Sequence, residues 1–250
     1  MAVLKLNDIS LTYQTPESET EALKNVSFTV DNGQFVSLVG PSGCGKTTIL
    51  SVVAGLIKPT SGNVTVDGKP ASSKNGDVGY MLQRDSLLPW RTIEDNVMIG
   101  LEILKKNTPE NRKYALSLVE KYGLSAFLKH YPSGLSGGMR QRVALIRTLA
   151  FKPKTLLLDE PFSALDFQTR LSVCDDVRDI IRQEGVTTLL VTHDISEAVA
   201  MSDRILVLTP RPATVKLDYS VEVEGDTPLK RRENSQFSRC FDTIWKEVKV

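Results

Sequence analysis

A glycine-rich stretch, GPSGCGKTT, has the spacing G-x-x-x-x-G-K-[ST] that surrounds phosphate groups. Its glycines let the backbone turn tightly, so that N–H groups can face phosphate oxygens. Lys46 can reach the β- and γ-phosphates, and the Thr47 hydroxyl can bind Mg²⁺. The strand pattern FVSLV precedes the loop and a helical pattern follows it, as the motif requires. We therefore predict phosphate binding by Gly40, Pro41, Ser42, Gly43, Cys44, Gly45, Lys46, Thr47 and Thr48.

Two adjacent carboxylates, Asp159 and Glu160, follow the apolar stretch TLLL, which has the pattern of a strand buried on both faces. At the end of a strand both side chains can reach the adjoining loops. Asp159 could hold Mg²⁺ through water, and Glu160 could then act as a general base on an attacking water. A solvated turn is the alternative for this pair, and the phosphate loop favours the catalytic role.

His193 and Gln83 follow two further strand patterns, LLVT and VGYML. Ligands of an open parallel sheet bind at the carboxyl ends of its strands, so both side chains could face the phosphates. His193 could donate a hydrogen bond to the γ-phosphate or orient water. Gln83 could ligate metal and contact water through its amide. Taken alone, each residue could instead serve a structural purpose.

A second feature suited to anions lies at Ser136, Gly137 and Gly138, within SGLSGGMRQRVALIRTLA. Small residues just before a long amphipathic run are typical of a helix N-terminus, where N–H groups and the helix dipole favour negative charge. A complete phosphate loop with its own lysine already lies elsewhere in the chain. The sequence therefore raises the question of why one chain has two phosphate-binding features.

The elements that must position these residues alternate between strands and helices at both ends of the chain. Helical patterns dominate from about residue 92 to residue 150, and Thr108 followed by Pro109 marks one helix start. This order predicts a parallel α/β core with an inserted helical lobe. The turn DNG is expected between two strands, and QTPESETE (residues 14–21) is expected to be a loop. Strand patterns occur at VLKLNDISLTY, LKNVSFTV, QFVSLVG, GNVTV, DVGYMLQ, KTLLLDE, VTTLLVTH and DRILVLT.

The tail from Arg211 contains ATVKLDYSVEV, which predicts paired strands, and PLKRRENSQFSRCFDTIWKEVKV, which predicts a helix. Its basic part, LKRRENSQFSR, fits either a solvated helix face or a binding patch.

Composition sets limits on the class of protein. A net charge of +1 over 250 residues does not favour a dedicated nucleic-acid binder. Cys44, Cys174 and Cys240 are too few and too scattered for a disulfide framework or a zinc site, so we expect a reducing cytoplasm. The N-terminus lacks the pattern of a signal peptide, and the most apolar run, ILSVVAGLI, is about half a membrane span. We therefore expect the chain not to cross a membrane.

Taken in order, GPSGCGKTT, Gln83, LSGGMRQR, LLLDEP, SALD and His193 resemble the nucleotide-binding domain of an ABC transporter, over essentially the whole chain. The LSGG signature discriminates this family from other P-loop proteins, with Met139 where the commonest form has glutamine. The resemblance implies an α/β fold: a P-loop NTPase core with a mostly parallel sheet, an N-terminal antiparallel β subdomain and an inserted α-helical subdomain at about 86–152. One domain is expected over residues 1–250, with a tail (211–250) too short for an added regulatory barrel.

The resemblance also implies an ATPase that uses ATP and Mg²⁺. Two chains, identical or similar, pair head to tail, so that the phosphate loop of one and the signature of the other enclose one ATP. Tyr13 is expected to stack on adenine, and the loop Ser163–Asp166 to communicate between subunits. The implied catalytic residues are Lys46, Gln83, Glu160 and His193; the metal ligands are Thr47, Gln83 and Asp159; the nucleotide contacts beyond the phosphate loop are Tyr13, Gln83, Asp159, Ser136, Gly137, Gly138 and Asp166.

The stretch RDSLLPWRTIEDNV follows Gln83, in a region that faces the coupling helix of the membrane permease in importers of this family. Its LPWRT form resembles the nitrate/sulfonate/taurine-type importer ATPases. Trp90 and Arg91 are candidate anchors for the permease, because aromatic and arginine side chains are favoured at interfaces. The alternative is that Trp90 is a core residue of the helical subdomain. The implied location is peripheral, on the cytoplasmic face of the membrane, with an external substrate-binding protein as an indirect partner.

The expected cycle follows from the shared site. ATP bridges two chains, Glu160 activates water, and hydrolysis lets the chains and the attached permease separate. One alternative is a soluble ABC ATPase without a permease, as in iron–sulfur cluster assembly, and the LLPWRTIEDNV stretch favours the importer. Another is a non-enzymatic nucleotide switch, and Glu160 with His193 favours hydrolysis.

Overall fold

The computed structural model describes residues 1–16, 18–74 and 76–249. Within these residues the chain forms ten strands, which are divided between two sheets. The strands are β1 (Ala2–Gln14), β2 (Glu19–Asp31), β3 (Phe35–Val39), β4 (Ser61–Val66), β5 (Lys69–Pro70), β6 (Val78–Met81), β7 (Thr155–Asp159), β8 (Thr187–Val191), β9 (Arg204–Leu208) and β10 (Val215–Ser220).

Eight α-helices lie in the same described residues, together with short 3-10 turns at Ser125–Phe127 and Pro132–Gly134. The helices are α1 (Lys46–Val53), α2 (Ile93–Ile103), α3 (Pro109–Lys121), α4 (Gly137–Leu149), α5 (Phe167–Glu184), α6 (Ile195–Met201), α7 (Pro228–Glu233) and α8 (Ser235–Val248).

The smaller sheet has the order β2-β1-β4-β5, and all its neighbouring strands run antiparallel. Its central strand β1 buries Leu4, Leu6, Ile9 and Leu11, because apolar side chains recur along one face of the strand. This sheet packs with α1 in one apolar cluster. The predicted N-terminal antiparallel subdomain is confirmed.

The larger sheet has the order β10-β9-β3-β8-β7-β6 and is parallel except for the β9–β10 pair. Every residue of β3, β7 and β8 is buried, as the apolar runs of the sequence predict. Alternate residues of β7 face opposite sides: Leu156 and Leu158 join the cluster with α2–α5, and Leu157 joins the cluster with α1. Because the five strands are parallel, their carboxyl ends meet at one edge, where the candidate site lies.

Helices α2, α3 and α4 occupy most of the segment expected to be the helical subdomain, and they share an apolar cluster with α5. Side-chain caps fix where two of these helices begin. The Thr108 hydroxyl accepts a hydrogen bond from the Asn111 N–H at 3.3 Å, with Pro109 at the first helical position, as the sequence predicts. Thr92 accepts from the Asp95 N–H at 3.2 Å and caps α2 in the same way.

The turn DNG lies between two strands, β2 and β3, as predicted, and these strands belong to different sheets. Three other local predictions were wrong in detail. The loop expected at 14–21 is shorter, because β1 continues to Gln14 and β2 begins at Glu19; its residue Glu17 lies outside the described residues. The tail contributes one strand, β10, which pairs with β9, and its helical part divides into α7 and α8 at Asn234.

Two expectations from the composition, one on disulfide bonds and one on membrane spans, can be compared with the structure. Cys44, Cys174 and Cys240 are all buried and free of disulfide bonds. In the described part of the chain, no helix has both the length and the hydropathy that crossing a membrane requires.

In the basic tail, Arg231 donates to the carbonyls of Ala200 and Ser202, so this arginine has a structural role.

Candidate functional site

The phosphate loop connects the buried strand β3 to α1. Gly43 and Gly45 adopt positive φ angles of 71° and 128°, a backbone conformation that L side chains rarely take. A Cβ at Gly45 would also lie 2.9 Å from Leu23 Cδ2. The loop therefore needs glycine at Gly45 both for its dihedral angles and for its close packing against β2.

The Lys46 ammonium lies inside the curve of this loop. Its Nζ donates to the carbonyls of Gly40 at 2.8 Å and Pro41 at 2.9 Å, and the residue is only 6% exposed. A buried ammonium requires such partners, because an unpaired charge in the interior is costly. Phosphate oxygens could replace or join these carbonyls as acceptors.

Asp159 ends β7 beside the start of α1. Its Oδ1 accepts a hydrogen bond from the Thr47 hydroxyl at 3.2 Å, and its Oδ2 accepts one from the Tyr80 hydroxyl at 3.2 Å. Burial raises the pKa of Asp159 above its ordinary value, the two hydroxyls oppose that shift, and the charge of Glu160 adds to it. Burial together with Asp159 likewise raises the pKa of Tyr80, so this tyrosine stays a donor.

Three predicted site residues, Gln83, Glu160 and His193, contact one another at the Glu160 carboxylate. Its Oε2 lies 3.2 Å from Nδ1 of His193 and accepts a hydrogen bond from Nε2 of Gln83 at 3.3 Å. The same Gln83 nitrogen contacts the Ser163 hydroxyl at 3.4 Å, and that hydroxyl donates to the Glu160 carbonyl at 3.0 Å. Glu160 itself has φ of +45°, a strained conformation for a residue with a Cβ, and such strain is found at functional sites.

These groups line one open cavity of about 630 Å³ at the carboxyl edge of the larger sheet. The parallel arrangement explains the convergence, because β3, β6, β7 and β8 all end at this edge. Gln83 lies two residues beyond the end of β6, and its side chain still reaches the cavity. The lining residues are Ser42, Gly43, Gly45, Lys46, Thr47, Thr48, Gln83, Asp159, Glu160, His193 and Arg211.

Some predicted residues lie next to this lining and not in it. The Tyr13 hydroxyl is 3.2 Å from the Thr48 hydroxyl, and the tyrosine ring is partly exposed at the side of the loop. Gly40 and Pro41 contribute through their carbonyls to Lys46. Cys44 is 2% exposed and packs in the apolar cluster under the loop, so its side chain faces away from the cavity.

The signature residues lie outside the cavity lining of their own chain. Ser136 caps α4, and its hydroxyl accepts from the Met139 N–H at 3.3 Å. A Cβ at Gly138 would lie 2.8 Å from Val173 Cγ2, so a glycine is needed for α4 to pack closely on α5. The signature thus lies at the capped N-terminus of α4, a helix of 13 residues. Ser136 is exposed there and Gly137 is half-buried.

Asp166 is also outside the lining and caps α5, with its Oδ1 accepting from the Thr169 N–H at 3.0 Å. Hydrogen bonds from Thr169 lower the pKa of Asp166. Arg170 links this loop to the turn after His193: one nitrogen donates to the Leu165 carbonyl at 3.0 Å. The other terminal nitrogen lies 3.5 Å from Asp194 and 3.7 Å from the buried Glu197.

Trp90 is 71% exposed, so the interpretation of it as a core residue was wrong. Its loop is held by the fully buried Asn96, whose Oδ1 accepts from the Leu88 N–H at 2.7 Å and whose Nδ2 donates to the carbonyls of Leu88, Arg91 and Thr92. Arg91 pairs with Glu102 at 2.8 Å. The indole is therefore presented to solvent on an ordered loop.

Three residues that position the site were not found from the sequence. Tyr80 binds Asp159 but precedes Gln83 in an ordinary strand pattern. Asn96 lies inside a helix and gives no motif. Arg211 lines the cavity and donates to the Gly43 carbonyl at 2.7 Å. The only signal in the sequence was a cation three residues after the core strand β9.

Comparisons with known proteins agree with this geometry. The family profile described as "ABC transporter" matches residues 23–163. The chain is 46% identical to an uncharacterized ABC transporter ATP-binding protein, YtlC, of Bacillus subtilis, covering 99% of this chain and 96% of the relative. It is 40% identical to the nitrate import ATP-binding protein NrtD of Synechocystis sp. (96% and 93% covered). It is also 46% identical to the aliphatic sulfonates import ATP-binding protein SsuB 2 of Agrobacterium fabrum (92% and 84% covered).

The fold is likewise similar to that of a solved structure. A dimeric ATP-binding cassette in a post-hydrolysis state, bound to ADP and Pi, superposes with a TM-score of 0.74 at 32% identity, covering 88% of this chain and 99% of the other. The predicted α/β class is confirmed by this likeness and by the two sheets described above.

Proposed function

The chain belongs to the ABC transporter family, and we propose that it is the ATP-hydrolysing subunit of a membrane importer, acting as one half of a head-to-tail pair. The observation that carries the proposal is the meeting of Gln83 and His193 on Glu160, inside the cavity that also contains Lys46. A binding-only protein has no need to hold a strained carboxylate beside a phosphate loop. Hydrolysis needs a base at that place.

The phosphate loop binds the nucleotide. Backbone N–H groups around Gly43 and Gly45 face the phosphates, and Lys46 donates to the β- and γ-phosphates. Thr48, in the first turn of α1, is the last nucleotide contact of the phosphate loop. Tyr13 stacks on the adenine, which is supported by its partly exposed ring beside Thr48. The N-terminus of α1 adds its dipole to the charge of Lys46.

The residues present fit Mg²⁺. The Thr47 hydroxyl and the Asp159 carboxylate lie 3.2 Å apart, and both are oxygen donors of the kind that this ion takes. Mg²⁺ usually keeps several waters and takes one or two carboxylates together with phosphate oxygens, so two protein ligands are enough here. Thr47 and Asp159 would hold it, with Gln83 close by. Bound there, it would neutralise charge on the β- and γ-phosphates.

Glu160 acts as the general base that takes a proton from the attacking water. Gln83 and His193 hold the carboxylate in position in the absence of nucleotide, and they turn to water and γ-phosphate when ATP is bound. Lys46 and the N–H groups of a partner's signature stabilise the charge on the transferring phosphoryl group. The positions of these groups at strand ends keep them ordered before substrate arrives.

Ser136, Gly137 and Gly138 complete the site of a second chain. The support is twofold: these residues lie outside the cavity of their own chain, and they form a capped helix N-terminus suited to a phosphate. Asp166 lies in the loop next to the signature and contributes from the same side. ATP then strengthens pairing, and by linkage pairing strengthens ATP binding equally.

The docking surface for a permease lies near Gln83, Trp90 and Arg91. The exposed indole on an ordered loop supports this role, because aromatic side chains are common interface anchors. The protein is therefore peripheral on the cytoplasmic face of the membrane, and it reaches an external substrate-binding protein only through the permease. Its similarity to nitrate and sulfonate import proteins points to an importer of the nitrate/sulfonate/taurine type.

Purification of the tagged chain from detergent-solubilised membranes tests this function. We expect a multi-span permease to co-purify and the complex, placed in lipid vesicles, to hydrolyse ATP and accumulate solute. A chain found only in the soluble fraction, or a complex with no ATP turnover, would contradict the proposal.

A further inference from the structure

The turn between β9 and β10 (residues 209–214) brings Arg211 to the wall of the nucleotide cavity. Nη2 of Arg211 donates to the Gly43 carbonyl of the phosphate loop at 2.7 Å. A guanidinium has five N–H donors in a fixed plane, and this bond uses one of them. The remaining N–H donors are carried by a guanidinium that already borders the cavity.

This turn is fixed from two sides. The Ala213 N–H donates to the Ala22 carbonyl at 2.9 Å, and the Ala213 carbonyl accepts from the Lys24 N–H at 3.0 Å, which joins the turn to β2. Within the turn, the Thr209 hydroxyl accepts from the Thr214 N–H at 2.9 Å and donates to the Pro212 carbonyl at 3.2 Å. The backbone that supports Arg211 is therefore tied to the small sheet.

The phosphate loop packs against the same turn. A Cβ at Gly45 would lie 3.5 Å from the Ala213 Cβ, so loop and turn are in close contact. The loop and the turn are thus in contact at Gly45 and Ala213, and the bond from Arg211 to the Gly43 carbonyl holds the guanidinium beside the loop. A cation held in this way is preorganised and loses little freedom when an anion binds.

The charges of the cavity give this arginine a purpose. Among the described lining residues, Lys46 and Arg211 are the permanent cations, opposite the carboxylates Asp159 and Glu160. Without Arg211, one lysine would face two carboxylates in a cavity that must accept a polyphosphate. Arginine also suits phosphate better than lysine does, because its planar fork can donate two parallel hydrogen bonds.

We propose that Arg211 is a nucleotide-binding residue that donates to a phosphate of the bound ATP or ADP while its other edge stays on the Gly43 carbonyl. This rests on the nucleotide site proposed above and adds a contact from outside the phosphate loop. Removal of the guanidinium removes a charge-assisted bond to phosphate, which lowers affinity by roughly 10- to 100-fold. The loss applies to MgATP and MgADP alike, and adenosine gains nothing from the residue.

Titration calorimetry of the full chain with MgATP and MgADP tests the proposal, using Arg211→Ala, Arg211→Gln and Arg211→Lys. Arg182→Ala is the control, because Arg182 is an exposed arginine of α5 outside the cavity. Gln keeps a donor for the Gly43 carbonyl without a charge, and Lys keeps the charge. We expect Ala and Gln to weaken both nucleotides by the fold-change given, Lys to recover part of the affinity, and the control to bind like wild type.

Salt dependence gives a second readout, since a lost phosphate contact makes affinity less sensitive to ionic strength. We expect a shallower salt dependence for Arg211→Gln than for wild type. Wild-type affinity in Arg211→Ala would overturn the inference, and so would wild-type affinity in Arg211→Gln, because it would leave Arg211 only a structural contact with the loop. A wild-type chain that binds neither nucleotide would overturn the nucleotide site itself, so the two failures are distinguishable.

Discussion

Nδ1 of His193 lies 3.2 Å from Oε2 of Glu160, across the ends of the neighbouring parallel strands β7 and β8. The Glu160 N–H donates to the Val191 carbonyl at 2.8 Å, so the backbone of one strand end holds that of the other. The carboxylate is thereby fixed at the cavity wall with φ of +45°. A carboxylate held in this way beside the phosphate loop lies where the proposed general base would take a proton from the attacking water.

Glu160→Gln is expected to bind MgATP like wild type and to lower turnover by ~10²- to 10⁴-fold, because it removes the general base and keeps the size of the side chain. The measurement is steady-state phosphate release at saturating MgATP, with nucleotide affinity measured in parallel. Glu222→Gln is the control, since Glu222 is exposed and lies outside the cavity. Wild-type turnover in Glu160→Gln would remove Glu160 from its role.

Ser136→Arg is expected to leave MgATP binding by the single chain unchanged, because Ser136 lies outside the cavity of its own chain. ATPase activity is expected to fall to background, because the long, charged arginine side chain blocks the face that meets a partner's nucleotide. Calorimetry at low protein concentration and phosphate release at high concentration separate the two effects. Ser125→Arg, at an exposed serine of the helical segment, is the control.

A loss of nucleotide affinity by the single Ser136→Arg chain would mean that the signature belongs to its own chain's site. That outcome would contradict the head-to-tail arrangement.

Trp90→Ala is expected to weaken attachment to the permease by about 2 kcal/mol or more, which is roughly 30-fold in affinity. The isolated chain should keep its Tm and its nucleotide affinity, because the indole is 71% exposed and contributes little to the fold. The measurement is the fraction of tagged chain recovered with the membrane complex. Trp245→Ala is a matched control, at a 47% exposed tryptophan on α8. Equal recovery of the two variants would place the docking surface elsewhere.

Asp159→Asn is expected to stabilise the nucleotide-free chain at neutral pH, because the carboxylate is buried and its pKa is raised above 3.8. A raised pKa means that folding favours the neutral acid, so the stability it contributes is lost as pH rises through the folded-state pKa. The gain in Tm over wild type should therefore be larger at pH 7 than near pH 4, close to the ordinary pKa of 3.8. A gain of about 1 kcal/mol corresponds to roughly 2–4 °C for a domain of this size.

The control for this prediction is Asp242→Asn, at an exposed aspartate of α8, which should leave Tm unchanged at both pH values. A gain for Asp159→Asn that is independent of pH would contradict the role assigned to burial of its charge.

The sequence could predict the contents of the site because each part carries a local signal. The phosphate loop has a fixed spacing, and Asp159, Glu160 and His193 each follow an apolar run that must be a buried strand. Parallel strands bring such ends to one edge, so their convergence follows from the strand–helix alternation alone.

The sequence could not predict the sheet to which each strand belongs. β2 and β3 are separated by a turn typical of a hairpin, yet β3 pairs with β8 and β9, which lie far along the chain. That choice depends on which apolar faces match in three dimensions, and local patterns do not contain it. Arg211 was missed for the same reason, because only the packing of its turn on β2 brings it to the phosphate loop.

The central claim is that two chains share each ATP between the loop of one and the signature of the other. Size-exclusion chromatography with light scattering, on Glu160→Gln at saturating ATP, tests it most directly. We expect a dimer that contains two ATP molecules, and a monomer when Ser136→Arg is added to the same chain. A double variant that still dimerises with ATP, or a Glu160→Gln chain that binds ATP and remains monomeric, would contradict the claim.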